Sequence, residues 1–459
     1  MLLPPSLDDW VGPDHPVRFV QELVESLDLS ALGITETPGE EGRPHYAPEM
    51  LLAVWIYGYM ERVRSSRALE RACMRDVAFL WLTGNLHPDH NTLWRFFRAH
   101  RGAMSGVFKR VVRVATHAGL VGFALHAVDG TKIAAASSMQ TAQHRKALLE
   151  ALKRLDATVE RDVADIEAAE QQEESGYAMP AELRDPRTRR AKIQAALAEL
   201  EQAGTGHLHR AEPEARVMRG RAHKVLGYNA QVVVDHDSDL IVATDVSGEE
   251  SDYAQLVPML AKTLETTGRV AEESVADAGY ASGEQFDEAE RRHLPVLVAT
   301  PPQPDGEFDK SRFRYDQARD VYICPRGETL GFQRVQPPEQ SGKSYVRRVY
   351  RCKNKQCPVR DQCTKDKSGR AIMRSAYDEP FARQLERNKT PKAKNFLALR
   401  KEIVEHIFAL AKWRDRFDRF TVRGLQAAQA QWALVCTAIN LHKLLVWWRN
   451  GRLRWLAAA

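Results

Sequence analysis

Apolar positions change their period along the chain, and each change marks a different kind of element. Over the first 120 residues the spacing is helical. Helices are expected at 48–63, with Pro48 in the first turn, at 65–84, opened by Ser65 and Ser66 and ended at Gly84, at 88–100 and at 104–116. From residue 123 the runs shorten. FALHAVDGTKI (123–133) reads as a buried strand, or as a strand that stops at a turn, because Asp129-Gly130 is a common turn pair. The β-branched runs 227–235 and 239–247, split by Asp237 and Ser238, form a hairpin pattern. A helix (252–267), a strand ending in Asp277 (272–280), a short helix (283–292) and a strand (295–300) follow. Two more helices, 392–420 and 425–446, close the pattern.

Composition separates these blocks. Residues 140–222 turn to Ala, Glu, Gln, Lys and Arg, and the stretches 145–170 and 189–204 predict two antiparallel amphipathic helices joined around 176–186. Nine acidic against three basic residues between 150 and 174 turn that face away from DNA. Residues 301–390 are rich in Pro, Gly, Arg and Lys. The implied layout is a helical domain (1–120), an α/β core (121–139 with 223–300), a helical insert (140–222), a basic cysteine-containing insert (301–390) and C-terminal helices (391–459).

Overall charge is only +5, so its distribution carries the information. From Lys343 to Arg374 there are eleven Lys and Arg against two Asp, with Tyr345 and Tyr350 interleaved, the pattern of a surface that meets a polyanion. Arg347, Arg348 and Arg351 are its candidate DNA contacts. In the helical domain Arg62, Arg64, Arg67, Arg71 and Arg75, then Arg95, Arg98, Arg101, Lys109, Arg110 and Arg113, recur at helical spacing. A solvated face and a phosphate-contacting bundle both fit them. The most apolar stretch, 432–448, is interrupted by Asn440, His442 and Lys443 and reads as a buried helix. With no leader-like segment after Met1, the expected compartment is the cytoplasm.

Cys324, Cys352, Cys357 and Cys363 fall in the basic insert. Their spacing is looser than the usual tetrahedral zinc pattern, so structural Zn²⁺ and free cytosolic thiols both stand as readings. Cys73 and Cys436 sit in apolar helices and read as core.

Three acids make a chemical hypothesis: Asp129 on the first strand, Asp277 at the end of the fourth, and Glu405 on a helix able to pack across them. Carboxylates gathered in one place repel unless cations neutralise them, and Mg²⁺ (or Mn²⁺) takes such hard oxygen ligands. Such ions suit in-line phosphodiester displacement.

The segments PEMLLAVWIYGY, RSSRALE, PDHNTLWRF, HAVDGTK, EARVM, GYNAQVVVD, SVADAGYAS and IVEHIF together resemble a bacterial insertion-sequence transposase of the DDE superfamily. The resemblance runs from about residue 48 to 444. It implies an α/β, ribonuclease-H-like core, with Asp129, Asp277 and Glu405 as catalytic and metal-binding acids. It further implies double-stranded DNA, both element ends and target, as partner, a homodimer on that DNA, and cleavage followed by strand transfer at terminal inverted repeats. The family signature in the Glu helix, Tyr-x2-Arg-x3-Glu-x6-Lys, keeps Glu405 and Lys412 here. Lys401 stands at the Arg position with Arg400 adjacent, and Ala398 stands at the Tyr position. Arg400, Lys401 and Lys412 are therefore the expected DNA contacts near the acids. The altered positions leave open a second reading, a domesticated DNA-binding descendant without catalysis.

Overall fold

A computed structural model describes residues 6–35, 46–138, 143–144, 146–157, 186–202, 207–209, 211–219, 224–302, 304, 306–341 and 344–453. The expected helix at 145–170 lies mostly outside these residues, as does nearly all of the expected joint at 176–186. Residues 146–157 are helical, and a helix spans Pro186–Gln202.

The N-terminal block is helical where described. Pro48–Met60 is buried almost all round, as its unbroken apolar sequence requires. Its Trp55 indole donates to the Leu93 carbonyl at 3.1 Å and packs on Phe97, fixing this helix against His90–His100. The helix expected over 65–84 is two helices, Ser66–Arg75 and Val77–Leu82. Asp76 breaks it, because its carboxylate accepts from the amides of Ala78 and Phe79 and caps the second helix.

The central sheet is built from β1 (Leu125–Ala134), β4 (Arg216–Arg219), β5 (Lys224–Asp235), β6 (Ile241–Ser247), β7 (Glu273–Ala276) and β8 (Val296–Val298). A short pair, β2 (Gln143–His144) with β3 (His207–Leu208), stands apart. The order runs β4-β5-β1-β7-β8, with β6 also paired to β5. β5 is antiparallel to both β1 and β6, whereas β7 and β8 run parallel to β1. A mixed sheet in this order, flanked by helices, is consistent with a ribonuclease-H-like core. β4 falls in the insert read as helical (140–222), after its second expected helix (189–204); four residues of period-2 pattern carry little sequence signal.

Two differences from expectation bear on function. Asp129-Gly130 is not a turn: β1 continues through it to Ala134, because β5 pairs with every residue from His126 to Ala134. The helix expected over 392–420 runs only over Pro391–Ala409 and ends in a π-turn, Leu410–Arg414.

The last described helix, Leu425–Arg449, runs between the helical block and the sheet and is buried for most of its length. Its Asn440 side chain accepts from the Ile241 amide at 2.9 Å and donates to the Ile241 carbonyl at 2.8 Å. A single apolar core joins this helix, the N-terminal helices and the sheet. The basic insert has its own five-stranded antiparallel sheet: β9 (Arg314–Asp316), β10 (Val321–Ile323), β11 (Thr329–Gln336), β12 (Arg347–Cys352) and β13 (Ala371–Arg374). It closes over a small core of Phe308, Phe313, Tyr322, Leu330, Tyr350 and Ile372. Among the described residues no helix is long and apolar enough to cross a membrane.

Candidate active site

β1 and β7 run parallel with Ala127 level with Val275. Two residues further on, that register sets Asp129 level with Asp277, and alternation puts both side chains on one face. Asp129 continues the strand, with its Oδ1 accepting from the Gly130 amide at 2.7 Å. Asp277 ends its strand and caps the turn Ala278–Tyr280, accepting from the Gly279 amide at 2.8 Å. Burial pushes the Asp129 carboxyl up to about 6, against the pull of Arg400, and the charge of Asp277 pushes the same way.

The helix Pro391–Ala409 crosses this face. Arg400 Nη1 donates to Asp129 Oδ2 at 2.8 Å, with both side chains mostly buried. Lys412, in the π-turn, donates to Thr131 Oγ1 at 2.5 Å and to the Lys132 carbonyl at 3.2 Å. Glu405 is exposed on the same helix. Five residues beyond Arg400 is about 140° round the axis, so the two cannot address Asp129 from one helical face. Lys401 is exposed as well. The structure thus brings together Asp129, Asp277, Arg400 and Lys412 and leaves Glu405 and Lys401 exposed, outside that group.

Behind β1 sits a residue that sequence reasoning misses. Asp252, in the loop before helix Leu256–Thr267, accepts from Asn229 Nδ2 and Gln231 Nε2, both at 2.7 Å, and from Lys132 Nζ at 3.2 Å. Gly130 and Gly279, the glycines of the two acid motifs, stand against it. A Cβ on Gly130 would meet Gln231 at 2.2 Å and Asp252 at 2.8 Å, and one on Gly279 would meet Asp277 at 2.9 Å and Asp252 at 3.7 Å. Tyr280 completes the network through its hydroxyl, which donates to Gln231 Oε1, and its phenol is pushed well up by burial and then by Asp252, Asp129 and Asp277. The only sequence signal for Asp252 is an acid a few residues ahead of a helix, where an ordinary cap also stands.

In the basic insert, Arg348 pairs with Asp320, and Arg351 with Asp366 at 2.7 Å. Arg347 lies half-buried next to them on β12. The four cysteines of this insert are free thiols. Cys324, Cys352 and Cys363 pack against the small core, and the Arg326 amide donates to Cys324 Sγ at 3.3 Å. Burial raises the Cys363 thiol, Arg370 opposes, and the other three cysteines add to the rise. As placed, neither metal set is closed: among the described residues no three His, Cys, Asp or Glu side chains are disposed to hold a metal ion.

Two family models match the chain. A transposase DDE domain matches residues 323–445, which hold strands β11 to β13 of the small sheet, the four cysteines and the Glu405 helix. A transposase domain (DUF772) matches residues 5–99, the helical block. Together the two matches indicate an insertion-sequence DDE transposase. No curated protein matches the chain. In this chain the Asp129–Asp277 pair lies on the segment between the two matched regions, at the centre of the sheet.

Proposed function

We propose that the chain cuts DNA at the terminal repeats of an insertion sequence and joins the freed ends to target DNA, with Asp129, Asp277 and Glu405 as the acids. One observation carries the reading: two aspartates from adjacent parallel strands stand level on one face of the central sheet. Two carboxylates match what Mg²⁺ ordinarily takes from protein beside phosphate oxygens and water, and a buried Asp129 gains from added positive charge. Asp129 and Asp277 would hold the ion. When bound, a divalent cation supplies the charge that activates a water or hydroxyl and offsets the leaving oxygen. The chain's own groups hold the frame. Arg400 neutralises and orients Asp129, the Gly279 amide fixes Asp277, and Lys412 ties the π-turn to β1 beside the acids.

In this reading Glu405, exposed here, joins the aspartates only once DNA is bound. Glu405→Gln is expected to remove cleavage of DNA carrying the gene's flanks while leaving mobility-shift binding intact. Cleavage persisting in that variant would place the third acid elsewhere. The second reading, a DNA-binding descendant without catalysis, draws on the Arg400–Asp129 ion pair, which satisfies the carboxylate without a metal. Flanking DNA bound but never nicked by the wild type in Mg²⁺ or Mn²⁺ favours it.

Dimerisation on DNA and a cytoplasmic location go with the transposase reading. For the insert we propose structural Zn²⁺ on Cys324, Cys352, Cys357 and Cys363, supported by three free thiols packed on one small core, by a fourth, Cys357, that acts on Cys363 electrostatically, and by the amide contact to Cys324. The expected result is about one zinc per chain by elemental analysis, with the insert's thiols reacting only after a chelator is added. Metal-free protein with immediately reactive thiols would remove the zinc assignment.

A further inference from the structure

The arginines expected to meet DNA mostly have partners inside the protein: Arg348 on Asp320, Arg351 on Asp366 and Arg400 on Asp129. Positive charge without such partners gathers elsewhere. A cleft of about 600 Å³ opens between the helix His90–His100 and the segment 419–423, lined by Arg98, Arg101, Arg419, Arg423 and Trp94, with no Asp or Glu in its wall. Arg98, Arg101 and Arg423 are exposed, and among the described residues none of the three has a carboxylate partner.

Both walls are rigid. Trp94, Arg98 and Arg101 are spaced i, i+4, i+7 and share one face. Trp94 is 41 % exposed and is braced from behind by Phe97, 5.9 Å away in a stacked arrangement. The opposite wall is tied to the end of the catalytic strand: the Phe420 amide donates to the Ala134 carbonyl at 2.8 Å, and Arg419 Nη1 donates to the Ala135 carbonyl at 2.6 Å. Gln431 accepts from the Thr421 amide at 2.9 Å and donates to the Tyr59 hydroxyl at 2.9 Å, which pins that wall to the helical block. Four guanidinium groups held on two fixed walls, with no acid among them, form a focused positive field suited to phosphates.

We propose that this cleft grips the phosphate backbone of duplex DNA and feeds the neighbouring phosphodiester to Asp129 and Asp277. The proposal rests on the DNA-end reading above and names the surface that reading lacks. From Ala134 back to Asp129 is five strand residues, roughly 17 Å at about 3.3 Å each. At about 3.4 Å per base pair, the gripped backbone lies about five base pairs from the bond at the acids.

The test measures affinity of the full-length chain for a duplex across a salt series, in the wild type, Arg98→Ala/Arg101→Ala, Arg98→Lys/Arg101→Lys and Arg291→Ala. Arg291 lies on the helix Gly283–Arg291, paired with its neighbours Asp287 and Glu288. The alanine pair is expected to weaken binding at least about tenfold and to lower the slope of log K against log salt by about two, near 0.9 for each phosphate that is no longer neutralised. The lysine pair should keep the slope and Arg291→Ala should change nothing. Should the alanine pair fold poorly, Arg423→Ala, at an exposed loop position, is expected to lower the slope by about one. Wild-type slope and affinity in the alanine pair (or in Arg423→Ala, if that pair misfolds) overturn the cleft assignment alone. A wild type that binds no duplex overturns the DNA reading itself. Equal binding of duplex RNA, lost equally in the alanine pair, overturns the assignment to DNA.

Discussion

Asp277→Asn is expected to lower strand cleavage by at least about a thousandfold, some 4 kcal/mol of transition-state stabilisation, while DNA affinity stays within about twofold. The substitution is conservative where it matters for folding. The Asp277 cap is an oxygen accepting from the Gly279 amide, and asparagine retains an oxygen there. What it removes is the negative charge level with Asp129. Asp129→Asn should behave alike in cleavage, and it further loses the charge that holds Arg400. Gel assays of nicking beside mobility shifts on the same DNA decide the matter. Cleavage within tenfold of wild type in both variants would mean that these aspartates are structural.

Asp252→Ala is expected to destabilise the core by about 3 kcal/mol, the range for removing one partner of a mostly buried charge pair. Lys132, Asn229 and Gln231 all lose an acceptor at once, and the Lys132 ammonium is left between β1 and the loop without its counter-charge. Asp252→Asn keeps an acceptor oxygen and should cost less. Because the network stands directly behind Gly130 and Gly279, cleavage should fall in Asp252→Ala even below its melting temperature, with affinity for DNA retained. Thermal melts together with cleavage at a temperature where the variant is folded separate the two effects. An unchanged melt would mean the network contributes nothing to the frame.

Much of this arrangement is legible in the chain because it is local. The order of strands and helices follows from period changes, and the Asp129 and Asp277 motifs sit where short apolar runs end in Asp and Gly. What is not legible depends on partners far away in sequence. Asp129-Gly130 has the composition of a turn, and only pairing with β5, about a hundred residues later, draws it into a strand. Asp252 acquires its role from Lys132, 120 positions earlier, and from Asn229 and Gln231 across the hairpin. A basic residue in a charge-rich segment reads as a DNA contact until its acid is located. Arg348 and Arg351 have such acids, while among the described residues Arg98 and Arg101, from the recurring basic series of the helical domain, and Arg423, which nothing in sequence singles out, do not.

The side chain of Asn440 has a use outside catalysis. Among the described residues strand β6 pairs only with β5, which leaves its other edge without a neighbouring strand there, the usual template for strand-to-strand aggregation. By meeting both the amide and the carbonyl of Ile241, Asn440 imitates one residue of a neighbouring strand and stoppers that edge at its start. The stopper arrives late, 199 positions after the residue it covers, so a growing chain carries that edge unstoppered until the helix Leu425–Arg449 has docked.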